Sequence, residues 1–300
     1  MPRGDCPMTT PNDCYIDLRG LPFHYRDWGG DGQPVLLLHG LASTCHIWDL
    51  VAPLLAEDFR VAALDQRGHG LSAQVDDGFD FATVSGDAAA FIGYLGWERP
   101  VIVGHSWGAD VALELAAAEP DLASGLIFVD GGTIEPSARP GWSLEQARQD
   151  MAPPIFTGFT PEMMRERVAT GARFGPDPSE TVIEAVLANF RVLEDGTIQS
   201  HLRRENHLRI IDALWDHRPS QLYPTLRCPV LMLPARQTTP DAMDRRFRRE
   251  ESMAKAAALL PVSQTVWLED SIHDVPLQRP ELVAETMREH INNGFFDRKT

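Results

Sequence analysis

Five short apolar runs, separated by turns and helix-patterned stretches, constrain this chain more than any other feature. They are Val35–Leu38, Arg60–Leu64, Arg99–Val103, Gly125–Val129 and Pro229–Leu233. A strand that is apolar along its length has to be covered on both faces, as in a parallel sheet with helices above and below it. Strands alternating with helices are joined by crossovers, and crossovers build such sheets. Ahead of them, Cys14–Leu18 and Leu21–Trp28 alternate around Arg19-Gly20, with Phe23 and Tyr25 on one face, which predicts a hairpin. Helical spacing covers Ile47–Leu55, Phe81–Leu95, Ala109–Glu119, about Arg245–Leu260 and Pro280–Asn292, and a last strand is expected at Thr265–Leu268.

From Thr133 to Tyr223 the rhythm changes. Leu144–Met151, Pro161–Ala172, Glu180–Phe190 and Glu205–Trp215 read as amphipathic helices, with a turn at Glu194-Asp195-Gly196-Thr197. The expected organisation is therefore a flexible N-terminus over 1–12, an α/β core made of 13–132 and 224–296, and a helical insertion over 133–223 lying across the sheet. A chain of 300 residues is long enough for that arrangement.

Composition narrows the partners. The net charge of −16, from 27 basic and 43 acidic residues, argues against nucleic acid and against anionic membranes. No run is long and apolar enough to span a bilayer, and Met1–Asn12 has no apolar signal core, so a cytoplasmic protein is expected. Cys6, Cys14, Cys45 and Cys228 show no metal-ligand spacing. Cys6 and Cys14 are a possible disulfide pair, but free thiols are the expectation. No metal cluster and no dinucleotide-binding glycine motif is visible, so no cofactor is implied. The oligomeric state is not legible.

The chemistry concentrates at Val103-Gly104-His105-Ser106-Trp107-Gly108, a G-x-S-x-G stretch between an apolar run and a helix. This is the nucleophile-elbow pattern, a turn so sharp that it lifts a serine hydroxyl above the sheet beside the N–H groups of a helix start. Gly104 and Gly108 have no Cβ and let strand and helix pass closely. A serine hydroxyl still needs a base, an acid behind that base and donors for the developing oxyanion.

Five segments in order give this chain its resemblance to the α/β-hydrolase superfamily: His39-Gly40-Leu41, Asp65-Gln66-Arg67-Gly68-His69-Gly70, Gly104–Gly108, the strand-end acid Asp130, and a late His273. The match runs from about Tyr15 to the last helix. It implies a doubly wound, mostly parallel eight-stranded sheet with an inserted helical cap over 133–223. It also implies roles. Ser106 is the expected nucleophile and His273 the base, in the serine–acid–histidine order of this fold. Backbone N–H groups of Leu41 and Trp107 form the expected oxyanion hole. His39, His69 and Asp65-Gln66-Arg67 are assigned to structural turns.

The acid is the least routine assignment. Most relatives carry it after the seventh strand, yet Leu233-Pro234-Ala235-Arg236-Gln237-Thr238-Thr239-Pro240 has no carboxylate. Asp130, ending the sixth strand in Phe128-Val129-Asp130-Gly131-Gly132, is the preferred acid and Asp241 the alternative. Trp48, Trp107 and His105 are expected to line the substrate pocket, and Met151, Met163 and Met164 to offer a pliable apolar wall. Asp110, near the elbow helix start, either favours the helix dipole or contacts groups behind the site.

A serine rather than a carboxylate nucleophile disfavours epoxide-hydrolase and dehalogenase chemistry and favours acyl transfer. The expected function is hydrolysis of a small to medium, mainly apolar ester or lactone, with no cofactor. Carbon–carbon bond hydrolysis, cofactor-free perhydrolysis and a ligand receptor with little turnover are the alternatives.

Overall fold

The computed structural model describes residues 10–237 and 249–297. Eight strands form one sheet: β1 (Asn12–Leu18), β2 (Leu21–Gly29), β3 (Pro34–Leu38), β4 (Arg60–Leu64), β5 (Val101–His105), β6 (Gly125–Val129), β7 (Val230–Leu233) and β8 (Ser263–Thr265). Their order is β1-β2-β4-β3-β5-β6-β7-β8. The β1–β2 and β2–β4 ladders are antiparallel and the other five are parallel. Reversals in strand order on either side of β3 leave the middle of the sheet, β3-β5-β6, with its carboxyl ends open for a site.

Side-chain alternation divides the core in two. Leu36, Leu64, Ile102, Phe128 and Met232 enter one apolar cluster, while Val35, Val61, Val103, Ile127 and Leu231 enter the other. Helices α1 (Phe81–Leu95) and α2 (Trp107–Ala118) cover the first face, through residues such as Phe91, Ile92, Val111 and Leu115. The C-terminal helix Pro280–Asn292 covers the second with Val283, Ala284 and Met287. Because both faces are covered, every residue of β5 and β6 is buried.

Three segments depart from the sequence expectation. Ile47–Leu55 is not one helix. A 3-10 turn at Cys45–Trp48 is followed by a one-turn helix, Ala52–Leu55. Pro53 has no N–H and its ring clashes with the carbonyl four residues earlier, so a helix restarts there rather than continuing. The strand expected at Thr265–Leu268 is split. Ser263–Thr265 joins the main sheet, whereas Leu268–Glu269 pairs with Ala235–Arg236 in a ladder of its own. Pro234, between β7 and Ala235, supplies no donor at the break. Finally, the expected turn around Asp195-Gly196 is present but is flanked by two short strands, Phe190–Val192 and Ile198–Ser200.

Within 133–223 the longer helices are Leu144–Asp150, Pro161–Thr170, Glu180–Leu187 and α3 (Arg204–Asp216). The first three start where the sequence expectation put them for a local reason. Ser143, Thr160 and Ser179 each accept the N–H three residues on, the hydrogen bond of an N-cap. Helix α4 (Arg249–Leu259) lies between β7 and β8. Among the described residues no helix is long and apolar enough to cross a membrane.

Candidate active site

Ser106 sits at the corner between β5 and α2 with φ +52° and ψ −125°, a conformation that costs energy in any residue but glycine. Its surroundings hold it there. The Ser106 N–H donates to the Val129 carbonyl at 3.0 Å. A Cβ on Gly104 would lie 2.3 Å from the Ala109 nitrogen, and one on Gly131 would lie 2.1 Å from the Ser106 carbonyl oxygen. The corner is therefore packed so closely that only glycine fits on either side of the serine.

The hydroxyl points at a histidine. His273 Nε2 lies 3.0 Å from Ser106 Oγ, and His273 Nδ1 lies 2.6 Å from Asp130 Oδ2. With Nδ1–H donating to the carboxylate, Nε2 carries the lone pair that accepts from the serine. Asp130 directly follows β6 with φ +47°, and its other oxygen accepts the Ala235 N–H at 2.9 Å. Burial works to raise the Asp130 carboxyl. The hydrogen bond and charge of His273, with the charge of Arg249, outweigh it and hold the group below its ordinary range. Burial likewise opposes a charge on His273, but the Asp130 hydrogen bond and charge prevail, and its pKa is raised. Asp241, the alternative acid, lies outside the described residues.

A cavity of about 210 Å³ opens beside these three side chains. Leu41, Trp107, Ile134, Met151, Leu214 and Met253 form its apolar wall, and Arg139, Asp150, His207 and Arg249 add polar groups. His207 is neutral at ordinary pH: burial brings it down to about 4, although its Nε2–H donates to the Met151 carbonyl at 2.9 Å. Trp107 is the first residue of α2, where a backbone N–H has no acceptor within the helix. Leu41 shares the cavity wall with it.

Two expected pocket residues are elsewhere. Trp48 is fully buried in the apolar cluster on the Val35–Leu37 side of the sheet. His105 ends β5 on that same side, and its ring meets Trp48 edge-on at 6.4 Å. Alternation along a strand puts consecutive residues on opposite faces, so the neighbour of Ser106 turns away from the cavity. His105 has another task. Its Nε2–H donates to the His273 carbonyl at 2.8 Å and so props the histidine loop. Burial and the nearby His273 lower it to about 4. Of the three methionines only Met151 lines the cavity; Met164 is core and Met163 is exposed.

The Asp65 turn below the site is a closed hydrogen-bond node. Its carboxylate accepts from Cys45 N–H at 2.7 Å, Leu71 N–H at 3.0 Å and His24 Nδ1–H at 2.8 Å. His24, Cys45 and Asp65 are close enough to suggest a metal site, but these bonds already use the carboxylate, and His24 Nε2 faces Asp13 at 3.2 Å. Burial pushes the Cys45 thiol well above its ordinary value, which leaves it protonated. His39 and His69 are bound within this region as well: His39 Nε2 accepts the Gln66 N–H and His69 Nε2 the Ala42 N–H. Cys14, Cys45 and Cys228 are free thiols, and Cys6 lies outside the described residues.

Comparison with known proteins places the chain. Residues 35–286 match the model of the Alpha/beta hydrolase family, and the protein belongs to that family. It is 30% identical to a non-heme haloperoxidase of Rhodococcus erythropolis over 65% of this chain and 70% of that protein. It is 37% identical to a soluble epoxide hydrolase of Corynebacterium sp. (strain C12) over 38% of this chain, spanning only 39% of that protein. Among solved structures, E-2-(acetamidomethylene)succinate hydrolase superposes with a TM-score of 0.75 at 21% identity, over 94% of this chain and all of the other. Membership of that family indicates a hydrolase.

Proposed function

We propose that Ser106, His273 and Asp130 are a catalytic triad that hydrolyses a small, mainly apolar ester or lactone. One observation carries this reading: the three side chains form a continuous line, 3.0 Å and 2.6 Å apart, beside a mostly apolar cavity. His273 Nε2 takes the Ser106 proton as Oγ attacks the substrate carbonyl. The Leu41 and Trp107 N–H groups receive the developing oxyanion. The tetrahedral adduct collapses, His273 returns the proton to the leaving alkoxide, and an acyl-enzyme remains. Water, deprotonated by His273, then releases the acid and restores Ser106.

The cavity volume favours short acyl groups, since it lies below the usual range for drug-sized ligands, about 300–1,000 Å³. Met151, Asp150 and Leu214 reach it from 133–223, which fits a cap over the sheet. Ser106 in the nucleophile position separates this chemistry from that named for the epoxide hydrolase relative. The test is labelling with an uncharged fluorophosphonate, followed by turnover of a panel of esters and lactones of increasing acyl length. Labelling at Ser106, with turnover that disappears in Ser106→Ala and falls off beyond short acyl chains, is the expected result. Unchanged ester turnover in Ser106→Ala would sink the triad.

A further inference from the structure

Arg249 occupies a position that the triad itself does not require. It opens α4, its side chain is 14% exposed, and it lines the cavity. Its Nη2 lies 3.1 Å from Asp130 Oδ2, the same oxygen that receives the His273 Nδ1–H. Its Nη1 donates to the Ala235 carbonyl at 2.7 Å, while Asp130 Oδ1 accepts the Ala235 N–H at 2.9 Å. Arg249 and Asp130 thus grip one residue from both sides. The carboxylate is fixed, and one of its oxygens is divided between a permanent cation and the imidazole.

We propose that Arg249 is a positioning residue that shares the Asp130 carboxylate with His273, so that this carboxylate does not hold a proton on the imidazole too firmly. The inference rests on the triad reading. A base must be neutral to accept the serine proton, and a buried carboxylate on its own would keep His273 charged to high pH. Among the described residues, few charged groups face His273. Asp130 and Asp274 favour its charged form, and Arg249 opposes it. Arg173 bonds Asp274 and neutralises part of that charge, Nε to Oδ2 being 2.8 Å. The His105 ring, centred 4.8 Å away, is itself neutral at ordinary pH. Of the two guanidinium groups, Arg249 is the one in contact with the triad carboxylate.

The experiment follows kcat/KM against pH for a neutral 4-nitrophenyl ester in the unaltered protein and in Arg249→Gln, Arg249→Met and Arg249→Lys. The pH dependence of Ser106 labelling by the uncharged fluorophosphonate is measured in parallel. In the Gln and Met variants the acid limb is expected to move up by about 0.5–1 pH unit, a loss of roughly 3- to 10-fold below the limb with little loss above it. Lys, which keeps the charge, is expected to restore most of the original profile. A loss that is uniform across pH, or a limb that stays in place in the Gln and Met variants, overturns the proposal and leaves the triad standing. Turnover that survives Ser106→Ala brings down the triad, and this inference with it.

Discussion

Asp130–His273 at the cavity and Asp110–His217 at the far end of the 133–223 segment are the same two side chains in contact, yet they are suited to opposite tasks. Both carboxylates are buried, and both accept from an imidazole nitrogen, at 2.6 Å and 3.2 Å. The difference is the second nitrogen. In His273 it meets a serine hydroxyl and a cavity, with the side chain 31% exposed. In His217 it meets a second carboxylate, Glu114, at 2.7 Å, and the side chain is fully buried under the stacked Phe81 ring. Burial works to lower His217, but Asp110 and Glu114 lift it to about 9. With a proton on each nitrogen it has no lone pair and cannot act as a base. Asp110 also accepts the Gly132 and Ile134 N–H groups, so this pair is a fastening between α2, the strand-end loop after Asp130 and the exit of the segment. A histidine on an aspartate marks a base only where its other nitrogen is left for chemistry.

The comparison is most easily broken at the acids. Asp130→Asn should lower kcat by about 10³- to 10⁴-fold, through a wrong tautomer and an unsupported imidazolium, with the fold retained. Asp241→Asn should leave kcat within about threefold. Steady-state kinetics on the preferred ester decide it, and the reverse pattern would transfer the role to Asp241. The second pair should respond in the other currency. His217→Ala leaves Asp110 buried without its cation and should cost about 3–5 kcal/mol of stability, while the folded protein keeps kcat within about threefold. Denaturant melts alongside initial rates separate the two effects. A large loss of kcat at full stability would mean that His217 belongs to the chemistry.

The pH dependences should also run in opposite senses. The folded pKa of His217 is about 9 and its unfolded value near 6.5, so its contribution is complete below about 6.5 and is lost as pH rises through 9. Stability should fall with pH across that window by at most about 1.4 kcal/mol per unit from this one proton, and His217→Gln should flatten the slope. Activity runs the other way. Its acid limb reflects loss of the proton from His273, whose pKa is raised, so kcat/KM should rise with pH through a midpoint above the ordinary histidine value. A limb centred below that value would contradict the Asp130–His273 contact.

Legibility in the sequence follows locality. The five central strands were readable because burial on both faces leaves a continuous apolar run, and the helix starts because Ser143, Thr160 and Ser179 act within three residues. The Asp130–His273 contact agrees with the preference for Asp130 that the family resemblance and the absence of a carboxylate from Leu233–Pro240 suggested. Trp48 and His105 were misplaced because an aromatic residue near an elbow carries no sign of which face it takes, and the strand's alternation decides that. Arg249, Asp150 and His207 gave no signal at all. They meet the cavity only after the sheet and the 133–223 segment have come together.

A third pair tests the argument at its weakest effect. His24 also sits on a buried aspartate, Asp65, and its second nitrogen faces Asp13 at 3.2 Å. Asp13 differs from Glu114 in its surroundings, because its side chain is 53% exposed. Burial works to lower His24, and the hydrogen bonds and charges of Asp65 and Asp13 reverse it, so its pKa is raised. The share held by Asp13 is screened by water. Asp13→Asn should therefore shift stability by about 0–1 kcal/mol, and less in high salt. Replacing Glu114 with Gln should cost more, because Glu114 is only 25% exposed and water screens its charge less. Melts of both variants at low and high salt check this ordering. An equal cost at the two sites would mean that contact with a second carboxylate, and not its exposure, sets how firmly an imidazolium is held.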